Sequence, residues 1–178
     1  DFILGNIRDP KVAEDILVRG DADMIGIGRG LIADPEYVNK VISGREDEIR
    51  KCISCNIGCA GNRIGVNRPI RCTVNPCVNE TEDYREVELL RPCNVVVIGG
   101  GTAGLEAACT AAEAGCTAFL IEKNSQTGGL AAEISKIPDK NRLGDFPQYL
   151  RNRASKLRKL FILNDTEAAA APVRELTP

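Results

Sequence analysis

Four cysteines, Cys52, Cys55, Cys59 and Cys72, stand in the spacing C-x2-C-x3-C-x12-C. On a helix, the first three would project at about 0°, 300° and 340° around the axis. Even in a loop they share one small volume. A local trio of thiolates, with a fourth arriving from further along, suits the four corners of an iron–sulfur cubane. Structural zinc more often takes two separated C-x2-C pairs. The spacing therefore favours a [4Fe–4S] cluster, with a zinc knot or reduced buried thiols as the other readings. Cys77, in Asn75-Pro76-Cys77, is read as a nearby thiol outside the ligand set. Cys93, Cys109 and Cys116 lie on or beside apolar runs and read as small core hydrophobes.

A second chemistry is written in Val95–Gly104, VVVIGGGTAG. Gly99, Gly101 and Gly104 form G-x-G-x-x-G between an apolar strand and an Ala-rich helix, and Glu122 ends the next strand. That context makes the motif a dinucleotide fingerprint. Gly99 permits the tight turn, Gly101 admits a pyrophosphate, and Gly104 lets helix and sheet pack closely. Glu122 is placed to accept hydrogen bonds from ribose hydroxyls. The motif alone leaves FAD or NAD open. A third, weaker signal lies near the N-terminus, where Gly5-Asn6 and Gly28-Arg29 each end an apolar run. Glycines at neighbouring strand ends, with an Arg guanidinium, are the means by which β/α barrels hold phosphate. An ordinary βα turn carrying a surface Arg is the other reading.

The elements that must position these residues follow from local signals. Phe2–Leu4 is a short strand, Asp9-Pro10 starts a helix, and Val12, Ala13, Ile16 and Leu17 fall on one of its faces. Gly20 suits its C-terminal end. Residues 23–27 form a second strand, and Asp34-Pro35 opens a helix with Tyr37, Val38, Val41 and Ile42 inward. This β/α punctuation is that of parallel α/β folds. Residues 45–92 are polar and Cys-rich with little periodicity, so something other than apolar burial is expected to order them. Residues 94–98 and 117–121 are buried parallel strands flanking a helix over 102–114. A further helix is expected over 145–160, with Leu150, Ala154, Leu157 and Phe161 on its inner face. Its Arg151, Arg153, Lys156, Arg158 and Lys159 are read as a solvated surface. A third strand begins at Phe161.

Composition removes several classes. Among 178 residues there are 23 basic and 25 acidic side chains and no His. The balance gives no footprint for nucleic acid or an anionic membrane. The absence of His removes Ser-His-Asp and Cys-His catalysis within this stretch. No apolar run approaches the ~20 residues that span a bilayer. No leader peptide is read from the first residues, and eight Cys point to metal or redox chemistry in a cytoplasmic setting.

Taken in order, these segments resemble one family. It is the old-yellow-enzyme-like NADH:flavin oxidoreductases that carry an iron–sulfur cluster, among them 2,4-dienoyl-CoA reductase, enoate reductase, bile-acid-inducible flavin reductases and trimethylamine dehydrogenase. MIGIGRGLIADPEYVNK resembles the family's last barrel strand and FMN phosphate loop, and CISCNIGCAGNRIGVNRPIRCTVNP its cluster segment. VVVIGGGTAGLEAA and LIEKNSQTGGL resemble its FAD-binding start. The resemblance implies an α/β chain in three parts. Residues 1–45 would end an FMN-binding (β/α)8 (TIM) barrel, 46–92 would be the cluster segment and linker, and 93–178 would begin a Rossmann-like FAD/NAD(P)-binding domain. It implies FMN phosphate on Gly5, Gly28 and Arg29, and [4Fe–4S] on Cys52, Cys55, Cys59 and Cys72. FAD or an equivalent nucleotide falls to Gly99, Gly101, Gly104, Glu122, Lys123 and Gly129.

The implied activity is an NAD(P)H-dependent flavin oxidoreductase. Electrons pass from NAD(P)H through FAD and the cluster to FMN, and then to the activated C=C bond of an enoate, enoyl-CoA or steroid-like substrate. An iron–sulfur amine dehydrogenase of the trimethylamine type, or a zinc-bearing nucleotide-binding module, are the alternatives. A whole barrel takes roughly 250 residues, so the chain is expected to be an internal fragment. Isolated, it is expected to be inactive and poorly soluble, with Ile25, Ile27 and Leu31 exposed. No catalytic residue is identified in it. Expected partners are a small-molecule substrate, the flanking parts of its own chain and further copies of the same protein, with neither nucleic acid nor membrane.

Overall fold

The computed structural model describes residues 1–79 and 93–176. The chain divides into two compact units, Asp1–Arg85 and Glu86–Pro178. Both are mixed α/β structures built on parallel strands. The final stretch of the linker expected over 46–92 lies outside the described residues.

In the first unit, β1 (Phe2–Leu4) and β2 (Met24–Gly26) pair in parallel, with Phe2 opposite Met24. The crossover between them is α1 (Pro10–Val18). Asp9 caps it by accepting from the Lys11 amide, Pro10 fills the first turn, and Gly20 follows its end at φ +72°. α1 buries none of its residues. Ile25 and Ile27 are half-buried, and the exposure expected of them falls instead on Phe2 and Met24, at 68% and 65%; Leu31 is exposed as expected.

A short helix unforeseen in the sequence, α2 (Arg29–Ala33), starts directly after Gly28. It is followed by α3 (Tyr37–Ile42), of which only Tyr37 is buried; Ile42 is 80% exposed, contrary to the expected inward face. Asp34 does more than open a helix. Its carboxylate is 1% exposed, pairs with Lys40 at 2.6 Å and accepts from the amides of Glu36 and Arg50. Lys40 also donates to the Glu48 carbonyl. This hub ties the start of the cysteine segment to α2 and α3. Residues beyond 45 do bury some apolar surface, since Ile49 and Val74 are nearly inaccessible. The only regular element between the thiols is a π-helix over Ile57–Gly65.

In the second unit, β3 (Asn94–Ile98), β4 (Thr117–Ile121) and β5 (Leu160–Leu163) form a parallel sheet in chain order. α4 (Thr102–Glu113) covers it. Its positions 105, 108, 109 and 112 are buried, the i, i+3, i+4, i+7 stripe of a helix lying on a sheet. α5 (Gly129–Ile134), α6 (Asp145–Ser155) and α7 (Ala170–Glu175) complete the unit. The core is Leu105, Ala108, Leu120 and Leu150, with Val97, Phe146, Tyr149 and Leu160 against it.

α6 ends five residues before the expected boundary, so Leu157 lies beyond the helix and Phe161 sits in β5, stacked on Phe119 at 5.4 Å. The basic cluster is not uniformly solvated. Arg153 lies across α4 with its side chain 19% exposed, donating to Glu106 at 2.8 Å and to Glu113 at 2.5 Å. Those carboxylates hold its guanidinium well above the ordinary arginine range despite burial. Arg151 donates to the Thr127 carbonyl at 2.9 Å. Among the described residues no helix is long and apolar enough to cross a membrane.

Candidate functional site

The first unit holds a pocket of about 220 Å³ lined by Gly5, Asn6, Arg8, Gly28, Arg29 and Cys52, among others. Parallel pairing sets the ends of β1 and β2 side by side, so Gly5-Asn6 and Gly28-Arg29 leave them together. Gly5 sits at φ +141°, and at Gly28 a side chain would meet open space. The three residues expected to hold a phosphate thus face one cavity. Two arginines connect this cavity to the thiol segment. Arg8 donates to the Cys52 carbonyl at 2.7 Å, and Arg29 donates to the Asn56 amide oxygen. Ser54 adds a hydrogen bond to Asn6 at 3.0 Å. Arg8 and Asn56 carried no sequence signal, because each acquires its partner from a distant part of the chain.

The thiol segment is ordered mainly by hydrogen bonds. Ser54 and Asn56 adopt left-handed backbone at φ +57° and +59°, so Cys52 and Cys55 lie in irregular chain. Only Cys59 is helical, and the projection expected for a helical trio does not apply. The Arg71 amide donates to the Gly58 carbonyl at 2.7 Å. A side chain at Gly58 would come within 2.6 Å of the Arg71 carbonyl oxygen, so this close approach requires glycine. It brings Cys72 back to Gly58, at the start of the π-helix. Cys55 meets the Thr73 hydroxyl at 3.2 Å, and the Ser54 amide points at the Cys52 sulfur at 3.4 Å.

All four thiols are free and half-buried. Burial pushes the Cys72 thiol up, and the proximity of Cys52 and Cys55 pushes it the same way. Those sulfurs therefore share one electrostatic neighbourhood. Among the described residues no three Cys, Asp or Glu groups converge closely enough to hold a metal ion. Cys77 is half-buried, with its amide donating to Asn75, whose side chain is itself anchored on the Ile32 carbonyl.

In the second unit, Gly99, Gly101 and Gly104 wrap the junction of β3 and α4. Gly99 takes φ +98°. A Cβ at Gly104 would lie 1.9 Å from the Gly99 carbonyl oxygen, so helix and loop touch through backbone alone. Glu122 is buried, and its carboxylate braces this loop. One oxygen accepts from the Gly100 amide at 2.6 Å, the other from the Asn124 amide and side chain at 2.8 and 2.6 Å. These bonds, led by the Asn124 amide, hold its carboxyl below the ordinary Glu value, and Lys123, exposed beside it, acts in the same direction.

Gly129 is brought to the loop as well. It takes φ +55°, and a side chain there would come within 2.9 Å of the Gly101 Cα. The Gly128 amide donates to the Gly100 carbonyl at 2.7 Å, and Gly101 and Gly128 form a single parallel bridge. Gly128-Gly129 is therefore part of the loop's own architecture, a contact that neither motif alone announces.

Each unit matches a known family. Residues 2–48 match the NADH:flavin oxidoreductase / NADH oxidase family, and residues 94–160 match the FAD dependent oxidoreductase family. The chain is 46% identical over 154 residues to the NADH oxidase of Thermoanaerobacter brockii, covering 86% of this chain and 24% of that one. It is 39% identical over 125 residues to the cinnamate reductase of Clostridium sporogenes, covering 70% and 19%. A solved 2-naphthoyl-CoA reductase bound to 2-naphthoyl-CoA superposes with a TM-score of 0.93 at 29% identity, over 99% of this chain and 27% of that one.

Fold and sequence together define a flavin/NADH oxidoreductase scaffold. More narrowly, the chain belongs to the old-yellow-enzyme-like NADH:flavin oxidoreductase / NADH oxidase family, and it spans about a quarter of the length of these relatives.

Proposed function

We propose that this chain is the relay segment of a cytoplasmic NAD(P)H-dependent flavin and iron–sulfur oxidoreductase that reduces the activated C=C bond of an enoate, enoyl-CoA or steroid-like substrate. The domain reading is an FMN-barrel end over 1–45, a cluster segment over 46–92 and a Rossmann-like FAD-binding start over 93–178. When bound, the flavins supply two-electron chemistry with NAD(P)H and substrate, and the cluster supplies one-electron transfer between them. The observation that carries the reading is that Gly5, Gly28 and Arg29 line one pocket together with Cys52. The proposed phosphate recess and the four-thiol segment would thus share Cys52.

Arg29 would hold the FMN phosphate by charged hydrogen bonds. Cys52, Cys55, Cys59 and Cys72 would hold [4Fe–4S]. The donor set fits: four free, half-buried thiols, with no imidazole competing. A cubane spreads four thiolates over four irons. Gly99, Gly101, Gly104 and Gly129 would admit the FAD pyrophosphate, with Glu122 and Lys123 at its ribose. The sheet order β3-β4-β5 is that of one half of a doubly wound nucleotide-binding sheet.

The test is made on the longer protein that the relatives' lengths imply. About four iron and four sulfide per chain, with FMN and FAD, and turnover of NADH with an enoate or enoyl-CoA are expected. Zinc without iron rejects the cluster. Turnover of amine with an electron acceptor, and none of enoyl-CoA, replaces the reductase reading with amine dehydrogenation.

A further inference from the structure

Cys93 directly precedes β3 and Cys116 directly precedes β4. Because Asn94 stands opposite Thr117, these two cysteines occupy the next rung of the same parallel ladder. The ladder continues through them, since the Thr117 amide donates to the Cys93 carbonyl at 3.0 Å. Adjacent strands run about 4.8 Å apart, inside the Cα separation of roughly 4.4–6.8 Å that a disulfide spans. The two sulfurs are 2.8 Å apart, within about 1 Å of the ~2.05 Å bond length. Closing the bond therefore needs side-chain rotation and no backbone movement.

We propose that Cys93 and Cys116 form a redox-modification site, closing reversibly into an intrachain disulfide by exchange with a low-molecular-weight disulfide such as oxidised glutathione. Their exposures assign the roles. Cys93 is half-buried and Cys116 only 5% exposed, so Cys93 is the more accessible of the two. The Cys93 thiolate attacks the external disulfide, forms the mixed disulfide and releases one glutathione. The Cys116 thiolate then attacks the Cys93 sulfur and releases the second. Two protein thiols are oxidised, one glutathione disulfide is reduced to two thiols, and each protein proton ends on a glutathione thiol.

The Cys93 contact and, after it, burial keep Cys116 protonated more strongly than a free thiol, which makes it the resolving partner rather than the first attacker. Cys109 does not compete, being fully buried with its sulfur directed to the Leu150 carbonyl. The residues joined are 23 positions apart, and the loop they close contains the whole Gly99–Gly104 turn and α4. The cross-link would staple the sheet at the ends of β3 and β4 opposite that turn. The inference rests on strand register and does not depend on the proposed reaction.

The test uses the full natural protein, equilibrated in buffers of rising oxidised-to-reduced glutathione ratio, then blocked with N-ethylmaleimide. Cleavage after glutamate separates the three cysteines, placing Cys93 in 89–106, Cys109 in 107–113 and Cys116 in 114–122. The expected product is a 89–106/114–122 linked peptide that forms in the native protein, reverts with dithiothreitol and gives way to mixed pairings in urea. In Cys116→Ala, Cys93 is expected to stop at the glutathione adduct. The proposal is overturned by either of two results. One is that Cys93 and Cys116 are both recovered as maleimide adducts at every ratio. The other is that Cys93 accumulates glutathione in the native protein without resolution.

Discussion

Cys72 carries the largest burden of any single side chain in the thiol segment. Its position depends on the Gly58–Arg71 contact, and its thiol is raised by burial and by two neighbouring sulfurs. Bound iron would offset that cost by taking the thiolate directly. Cys72→Ala is expected to leave the protein with less than half its iron while flavin bound by the second unit is retained; iron analysis beside flavin fluorescence checks this.

Glu122 gives a pH-dependent prediction. Its carboxyl lies below the ordinary Glu value of about 4.3 in the folded state, so folding favours the ionised form. That contribution is fully present above the unfolded value and is lost as pH falls through the depressed folded value. Glu122→Gln is expected to cost about 2 kcal/mol near neutrality, the scale of hydrogen bonds to a charged group, and to flatten the acid limb of the stability curve. Denaturant titrations from neutral to acid pH read both effects.

At the scale of elements, the local signals were legible. Asp9-Pro10, Gly20 and the G-x-G-x-x-G turn act through their own backbone neighbourhoods, so residue type was enough to find them. Partners distant in sequence were not legible. Asp34 looks like a helix-opening residue, yet its buried ion pair and its bond to Arg50 make it the joint between α3 and the thiol segment. Removing one partner of such a pair costs about 3–5 kcal/mol, so Asp34→Ala is expected to loosen the first unit, seen as faster amide exchange over residues 34–52.

Arg153 was hidden in the same way. A basic helix pattern announces solvent, and only the packing of α6 on α4 turns this one residue inward between Glu106 and Glu113. The candidate site divides along the same line. Its glycines, its cysteines and Arg29 were readable by type and spacing. Arg8 and Asn56, which join the two halves of the first unit's site, were not. The irregular chain at Ser54 and Asn56 defeated a helical projection that spacing alone encouraged.

For the whole molecule, exposure is informative. Phe2, Met24 and Val18 in the first unit, and Ile98 and Leu130 in the second, are 65% exposed or more. Removing such side chains from water is worth about 1.5–3 kcal/mol each, which the chain by itself forgoes. The isolated 178-residue polypeptide is expected to bind a hydrophobic dye and to melt without a sharp cooperative transition, whereas the longer protein melts cooperatively. Calorimetry on both decides it.

The two arginines that lean from the pocket onto the cysteine segment bear on how such a protein matures. Arg8 and Arg29 each grip the stretch Cys52–Asn56 while lining the recess beside it. Filling either place with its prosthetic group would draw the shared guanidinium groups into register for the other. On the proposed function, loading would then be cooperative: a cell starved of iron would accumulate chains that also retain FMN poorly.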